Sequence, residues 1–322
     1  MTSDNLKLKP SRLFNAKILL YGEYSIIMNS WALAVPYSIF GGELIFPHSR
    51  SGIDLELKSF AQYLRSLKKR NELFNSFDLD SFEFDVAQGL IFQSNIPQGF
   101  GLGSSGALCA AVFDRYGGAK ENLEISADIS LNRETMALRK SQFALLETHF
   151  HGASSGIDPL ISYLNRPLLI KNKNEFNQVK LPASCNKNGG LFLLNTGRPR
   201  RTEPLVNLFL EKRKTPEFEK FCQQNLIPVT DACISNFLEG NEEKHFDSFC
   251  QLSKLQFDHF SPMIPKLYQQ TWQVGLATGE FALKLCGAGG GGYILGMTKD
   301  FDLTRSRLGG QEIRPILMNG PN

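Results

Sequence analysis

Apolar residues fall into short runs and alternations over the first third of the chain and into helical spacing farther on. Lys17-Ile-Leu-Leu-Tyr21 is an unbroken apolar run behind one lysine and reads as a buried strand. Residues 24–36 are β-rich with breaks, and Leu44-Ile-Phe46 and the alternating Ile53-Asp-Leu-Glu-Leu57 read as further strands. Residues 60–70 have amphipathic helical spacing, and Lys68-Lys-Arg70 suits the negative end of a helix dipole. Phe82-Glu-Phe-Asp-Val86 alternates as a strand would, and Leu90-Ile-Phe-Gln-Ser94 forms another strand-like run.

A small-residue helix is expected at Ala107-Leu-Cys-Ala-Ala-Val-Phe113, a helical block over 123–150, and a short strand at Pro167-Leu-Leu-Ile170. The turn-rich stretch Pro182-Ala-Ser-Cys-Asn-Lys-Asn-Gly-Gly190 marks a change of composition. Beyond it come a strand at Leu191-Phe-Leu-Leu194, mainly helical segments over 205–285, a strand at Tyr293-Ile-Leu295, and a last strand over 313–318. No solenoid repeat is visible. Strands mixed with helices in this order predict an α+β fold, with a division into residues 1–185 and 186–322.

Composition narrows the possibilities. The chain has 322 residues, 42% hydrophobic and 21% charged, which is ordinary globular usage with length for two domains. A net charge of +3, without a basic stripe interleaved with aromatics, argues against nucleic acid as partner. The apolar stretch over 16–40 is interrupted by Lys17, Glu23 and Pro36, so it does not read as a membrane span. The six cysteines form no close metal-ligand pair and read as buried free thiols of a reducing compartment. With a polar N-terminus, these features lead to the expectation of a cytoplasmic protein.

Four segments carry candidate chemistry. Asn95-Ile-Pro-Gln-Gly-Phe-Gly-Leu-Gly-Ser-Ser-Gly106 links a strand to a helix. It reads either as a plain turn or as an anion site, with glycines permitting close approach, serines available to cap, and amides at the positive helix end. It is neither the Walker pattern nor the dinucleotide fingerprint. Ala16-Lys17-Ile-Leu-Leu-Tyr-Gly22-Glu23-Tyr24 carries charges at both ends of a strand. Glu147-Thr-His-Phe-His-Gly-Ala-Ser-Ser-Gly-Ile-Asp158-Pro159 places two carboxylates eleven positions apart. His149 and His151 lack a third nitrogen or sulfur ligand nearby, which argues against zinc. Gly287-Ala-Gly-Gly-Gly-Gly292 bears a large entropic cost unless its backbone closely approaches a ligand or another loop.

Taken together, in this order and across nearly the whole chain, these segments resemble the GHMP kinase superfamily, named for galactokinase, homoserine kinase, mevalonate kinase and phosphomevalonate kinase. Lys17-Ile-Leu-Leu-Tyr-Gly22-Glu23 resembles its first motif, Gly101-Leu-Gly-Ser-Ser105 its phosphate loop, and Gly287-Ala-Gly-Gly-Gly-Gly292 its third motif. Within the superfamily the mevalonate kinase branch is most similar, through Gly22-Glu23, Ser155-Gly-Ile-Asp158 with Glu147 upstream, and Asn195-Thr196. The usual Pro-Gly before the lysine is Asn15-Ala16 here, and Tyr24 stands where many members of that branch carry histidine.

The resemblance implies a two-lobed α+β fold. The N-terminal lobe would be ribosomal-S5-like with a left-handed crossover, the C-terminal lobe ferredoxin-like, and ATP and substrate would bind in the cleft. It implies phosphorylation of the primary hydroxyl of mevalonate, with phosphomevalonate kinase or another branch as the alternative and a non-catalytic ATP-binding sensor as a remoter one. ATP and Mg²⁺ would be cofactors. Asp158 and Lys17 would be catalytic; Gly101, Leu102, Gly103, Ser104, Ser105, Gly106, Gly287, Gly289 and Gly290 would contact nucleotide; Ser105, favoured over Ser104, and Glu147 would hold the metal. Glu23, Tyr24 and Thr196 would orient the acceptor, and a homodimer fits the branch. Arg198, Arg200 and Arg201 read as a solvated loop, as ATP contacts, or as the extra phosphate cluster of the alternative branch.

Overall fold

The structure is a computed structural model describing residues 12–47, 52–118, 133–172, 175–182, 188–200 and 203–316. Its first elements are strands β1 (Phe14–Tyr21) and β2 (Ala32–Ile45), separated by a 3₁₀ turn at Ser25–Met28. Helices α1 (Leu55–Lys69) and α2 (Leu79–Ala87), strand β3 (Ile91–Ser94), and helices α3 (Ser104–Tyr116), α4 (Arg133–His151) and α5 (Ile157–Leu164) follow. Strands β4 (Leu168–Ile170), β5 (Phe176–Gln178) and β6 (Gly190–Asn195) then lead into helices α6 (Glu203–Arg213), α7 (Pro216–Phe221), α8 (Ile227–Leu238), α9 (Glu242–His259) and α10 (Lys266–Thr278). A π-helical turn at Cys222–Leu226 joins α7 to α8. Strands β7 (Phe281–Leu285) and β8 (Tyr293–Thr298), helix α11 (Phe301–Arg307) and strand β9 (Ile313–Pro315) are the last elements among the described residues.

Two segments expected as strands are helical. At α1 the Asp54 carboxylate accepts from the amides of Glu56 and Leu57 at 3.0 Å, which caps a helix whose buried face is Leu57, Phe60, Ala61, Leu64 and Leu67. At α2 Asp78 accepts from the Ser81 amide at 3.1 Å; Leu79, Phe82 and Val86 are buried, while Phe84 is exposed. Alternation over five residues coincides with helical spacing at two of its positions, and the cap decides between them. At the other end of the helical region, Phe281–Leu285 is a fully buried strand rather than a helix. The helical block is described from Arg133 onward; residues 123–132, 183–187 of the turn-rich stretch, and 317–318 of the last strand lie outside the described residues.

The chain forms two compact units. The first comprises Met1–Lys17, Pro36–Ile96 and Gly103–Asn165; the second comprises Ile18–Val35, Pro97–Leu102 and Arg166–Asn322. One sheet has the order β1-β2-β4-β5 with β3 also paired to β2; the other has the order β7-β8-β6-β9. In the first unit β2 and β3 pair antiparallel from Gly42↔Ser94 to Ile45↔Ile91. Its core gathers Phe60, Phe82, Phe113, Phe143, Leu146 and Leu160. Helix α3 packs on α5, and the rings of Phe113 and Phe143 lie 4.9 Å apart.

In the second unit β6 and β8 pair antiparallel from Gly190↔Thr298 to Asn195↔Tyr293. Phe192, Leu193, Phe281 and Leu295 are buried on this sheet, and Trp272 of α10 is buried with its indole N–H on Ser253 Oγ at 2.9 Å. Among the described residues, Cys109, Cys222, Cys233 and Cys286 are buried free thiols and Cys250 is half-buried; Cys185 lies outside them. No described helix is long and apolar enough to cross a membrane.

Candidate active site

The glycine-serine loop divides between the units, Pro97–Leu102 going with the second and Gly103 onward with the first. Gly103 is the residue before α3, at φ +75°, a left-handed conformation that favours glycine. Neither Ser104 nor Ser105 caps the helix, because both already lie inside its first turn and no side-chain cap bond is made. The first intrahelical bond runs from the Ala107 amide to Gly103 O at 3.0 Å, so the amides of residues 104–106 precede the ladder at the positive helix end.

The glycines next to this helix start make room for catalytic candidates. A Cβ on Gly103 would sit 2.9 Å from Lys17 Cγ, and one on Gly106 would sit 2.9 Å from Pro159 N and 3.0 Å from the Asp158 carbonyl carbon. Lys17 and Asp158 meet: Nζ lies 2.8 Å from Oδ2. The lysine side chain is 11% exposed and the carboxylate 37% exposed, so the carboxylate is the open partner. Asp158 sits in the first turn of α5, whose preceding Gly156 has φ +73° and would clash with Lys140 O if it carried a Cβ.

Glu147 of α4 forms the neighbouring cluster. Its carboxylate accepts from Ser105 Oγ at 3.4 Å and from the Ser154 hydroxyl, and Ser105 also bonds His151 Nε2 at 2.8 Å. Burial first, and then the nearby Asp158 carboxylate, push the Glu147 carboxyl up to about 7, against the pull of Ser154, Lys17 and Ser105. A buried anion beside a second anion fits a bound cation. Two oxygen donors of the Glu147–Ser105 type also suit Mg²⁺, which keeps waters and phosphate oxygens as its other ligands. Among the described residues no group of three or more His, Cys, Asp or Glu gathers as a ligand set. The first unit therefore brings together Lys17, Gly103, Ser104, Ser105, Gly106, Glu147 and Asp158.

The second unit holds the remaining candidates: Glu23, Tyr24, Gly101, Leu102, Thr196, Gly287, Gly289 and Gly290. Glu23 is buried, its carboxylate 2.5 Å from Lys284 Nζ, and Lys284 also donates to Leu285 O at 2.7 Å. Burial raises the Glu23 carboxyl, opposed by Lys284. Thr196 Oγ1 donates to Gly292 O at 2.7 Å, and Tyr24 Oη donates to Ala288 O at 2.6 Å. Leu102 is buried.

Arg200 threads between two glycine positions. A Cβ would lie 2.1 Å from its Nη2 at Gly101 and 2.4 Å from it at Gly287, while its guanidinium donates to Cys286 O and its amide to Gly99 O at 2.9 Å. Arg198 is exposed, and Arg201 lies outside the described residues. The glycine run at 287–292 is likewise crowded by protein: a Cβ would come 2.5 Å from Met263 O at Gly289 and 2.7 Å from Phe100 O at Gly292. A neighbouring loop, one of the two partners expected for this run, does approach it this closely. Sequence reasoning passed over Lys284, although a lone charge inside the apolar Phe281-Ala-Leu-Lys-Leu285 is the mark of a buried pair.

Comparison with known proteins bears on this geometry. Residues 61–166 match the family model described as GHMP kinases N terminal domain. Mevalonate kinase of Dictyostelium discoideum is 23% identical over 341 aligned residues, covering 88% of this chain and 86% of that protein. Phosphomevalonate kinase of Streptococcus pneumoniae, solved in complex with phosphomevalonate and AMPPNP, superposes with a TM-score of 0.64 at 18% identity, covering 96% of this chain and 98% of that one. L. major mevalonate kinase, solved in complex with R-mevalonate, gives a TM-score of 0.61 at 17% identity, covering 94% and 91%. At these identities the structural likeness is one of fold. Residues 61–166 thus resemble a GHMP kinase N-terminal domain, and the chain shares its α+β fold with these solved kinases.

Proposed function

We propose that the chain is an ATP-dependent kinase that phosphorylates the primary hydroxyl of mevalonate to give 5-phosphomevalonate, a step in isoprenoid precursor synthesis. The observation that carries this reading is the Lys17–Asp158 ion pair set against the start of α3, with Glu147 and Ser105 next to it. The proposed lobes, 1–185 and 186–322, are divisions along the sequence, and the second compact unit also takes in residues 18–35, 97–102 and 166–185; the enzyme acts in the cytoplasm, where ATP and reduced thiols coexist.

Phosphoryl transfer depends on positioning and charge neutralisation more than on covalent help. The open carboxylate of Asp158 takes the proton of the acceptor hydroxyl as its oxygen bonds the γ-phosphorus and the bond to the β-phosphate oxygen breaks, releasing ADP. Lys17, 2.8 Å from that carboxylate, orients it and supplies positive charge to the transferring phosphoryl group. The backbone amides of residues 104–106 would bind phosphate oxygens, and Gly101, Leu102, Gly287, Gly289 and Gly290 are proposed as further nucleotide contacts. Glu147 and Ser105 would hold Mg²⁺, which when bound offsets phosphate charge.

Phosphomevalonate is the second acceptor reading, favoured by the exposed Arg198 and by the likeness to the S. pneumoniae enzyme. A panel assay decides between them: ATP and Mg²⁺ with mevalonate, phosphomevalonate, homoserine or galactose, following ADP release. Turnover with mevalonate far above the others is the expected result. Turnover confined to phosphomevalonate moves the assignment, and nucleotide binding without any turnover removes the enzymatic reading.

A further inference from the structure

The three residues that the resemblance assigns to the acceptor alcohol are all engaged with the backbone of residues 287–292. The Glu23 side chain is 1% exposed; it pairs with Lys284, and the Gly287 backbone donates toward the same carboxylate. Tyr24 places its hydroxyl on Ala288 O at 2.6 Å. Thr196 is buried, and both its hydroxyl, at 2.7 Å, and its amide, at 3.0 Å, donate to Gly292 O. The beginning and the end of the run are therefore each held by a side chain from a distant part of the sequence.

The attachment at Tyr24 is built against strain. Tyr24 has φ +62°, a region non-glycine residues rarely adopt, and its ring stacks on Phe209 and Phe260 with centroids 4.9 and 5.6 Å away. The aromatic stack fixes the ring, and the ring fixes the Ala288 carbonyl. A run of five glycines has little conformational preference of its own, so its shape must come from such external bonds.

We propose that Glu23, Tyr24 and Thr196 are positioning residues for the glycine run at 287–292, setting the affinity for the nucleotide through that backbone rather than touching the acceptor. The inference rests on the kinase reading above, and it replaces acceptor contact with nucleotide-loop support at all three positions.

The test uses the full chain and the variants Tyr24→Phe and Thr196→Val, each of which deletes one hydroxyl, together with Glu23→Gln. Three quantities are read: affinity for AMPPNP with Mg²⁺ by calorimetry, KM for the acceptor found in the panel assay, and amide hydrogen exchange over residues 286–292. Loss of one hydrogen bond predicts nucleotide affinity about five- to tenfold weaker and exchange about fivefold faster, with acceptor KM within about twofold of the parent. A roughly tenfold rise in acceptor KM with unchanged nucleotide affinity and exchange overturns the proposal, as does no change in any quantity. If Glu23→Gln does not fold, the two hydroxyl variants carry the test. A parent chain that binds no magnesium nucleotide overturns the kinase reading and this inference together, whereas normal parent binding with insensitive variants overturns only the inference.

Discussion

Lys17 Nζ stands 2.8 Å from Asp158 Oδ2, and the stem of the same lysine fills the space that Gly103 leaves open at the head of α3. One side chain thereby links the Asp158 carboxylate to the start of α3. On the proposed mechanism, charge at Lys17 and space at Gly103 are two separable requirements for turnover.

Asp158→Asn and Lys17→Met are expected to lower kcat by about 10²–10⁴-fold, the usual range for general acid–base and charge-positioning groups. Asp158 is the exposed partner, so Lys17→Met should lose no more than about 1 kcal/mol of stability, whereas Asp158→Asn leaves the mostly buried ammonium without its carboxylate and should cost about 1–3 kcal/mol. Steady-state kinetics beside a thermal melt check this. Near-parental rates in both variants would remove these residues from the mechanism.

Gly103→Ala tests the space. The new methyl would meet Lys17 Cγ at 2.9 Å in a left-handed backbone, at a cost of about 1–2 kcal/mol. Lys17 must then shift, so kcat should fall more than tenfold while the protein still folds. A variant that is destabilised yet retains full kcat would show that the lysine does not depend on this close approach.

Glu147 should impose a pH slope on the metal-free protein. Its folded carboxyl titrates at about 7, above the ordinary 4.5. Its favourable contribution is therefore complete below pH 4.5 and is lost as pH rises through about 7, on the order of 3 kcal/mol. Denaturant titrations from pH 4.5 to 8 without Mg²⁺ measure the slope, which Glu147→Gln should flatten. The same variant should raise the Mg²⁺ concentration needed for half-maximal rate at least tenfold. An unchanged slope and an unchanged Mg²⁺ requirement would contradict the assignment.

His245 predicts the opposite limb. Burial lowers its imidazole from 6.5 to about 4, and Nε2 bonds Tyr21 Oη at 2.5 Å. Stability from the neutral ring is complete above pH 6.5 and is lost as pH falls through about 4, again on the order of 3 kcal/mol. The ring's titration followed by NMR, compared with unfolding between pH 7 and 4, checks both the value and the sign. An imidazole that titrates near 6.5 in the folded protein would sink this prediction.

Lys284→Met leaves the Glu23 carboxylate buried without its cation and should cost about 3–5 kcal/mol. The double variant Glu23→Gln/Lys284→Met should recover most of that loss, since no unpaired charge remains. Equal destabilisation of the single and double variants would show that the Lys284 stem matters more than its charge.

Much of the outline was legible from local chemistry. The strands at Lys17-Ile-Leu-Leu-Tyr21 and Leu191-Phe-Leu-Leu194 are present because unbroken apolar runs of that length suit buried strands. The α3 helix follows its glycine loop as expected. Ile53-Asp-Leu-Glu-Leu57 and Phe82-Glu-Phe-Asp-Val86 read as strands because five residues of alternation cannot separate period 2 from 3.6, and the capping bonds of Asp54 and Asp78 lie at the margin of the pattern. The single strand expected at Leu44-Ile-Phe46 is the end of the longer β2.

Residue type and order along the chain marked segments that the first unit brings together around Lys17 and Asp158. Glycine-rich turns, a lysine before an apolar run, and a carboxylate in a helical block with a second eleven positions on are local choices that core packing does not require. Tertiary structure alone decided what those residues do to one another. Gly103 makes room for Lys17, Glu23 faces Lys284, and the run at 287–292 leans on Met263, Arg198 and Phe100. Such partners are remote in sequence, and local periodicity reports which face of an element is apolar, not which distant group will fill the space beside it.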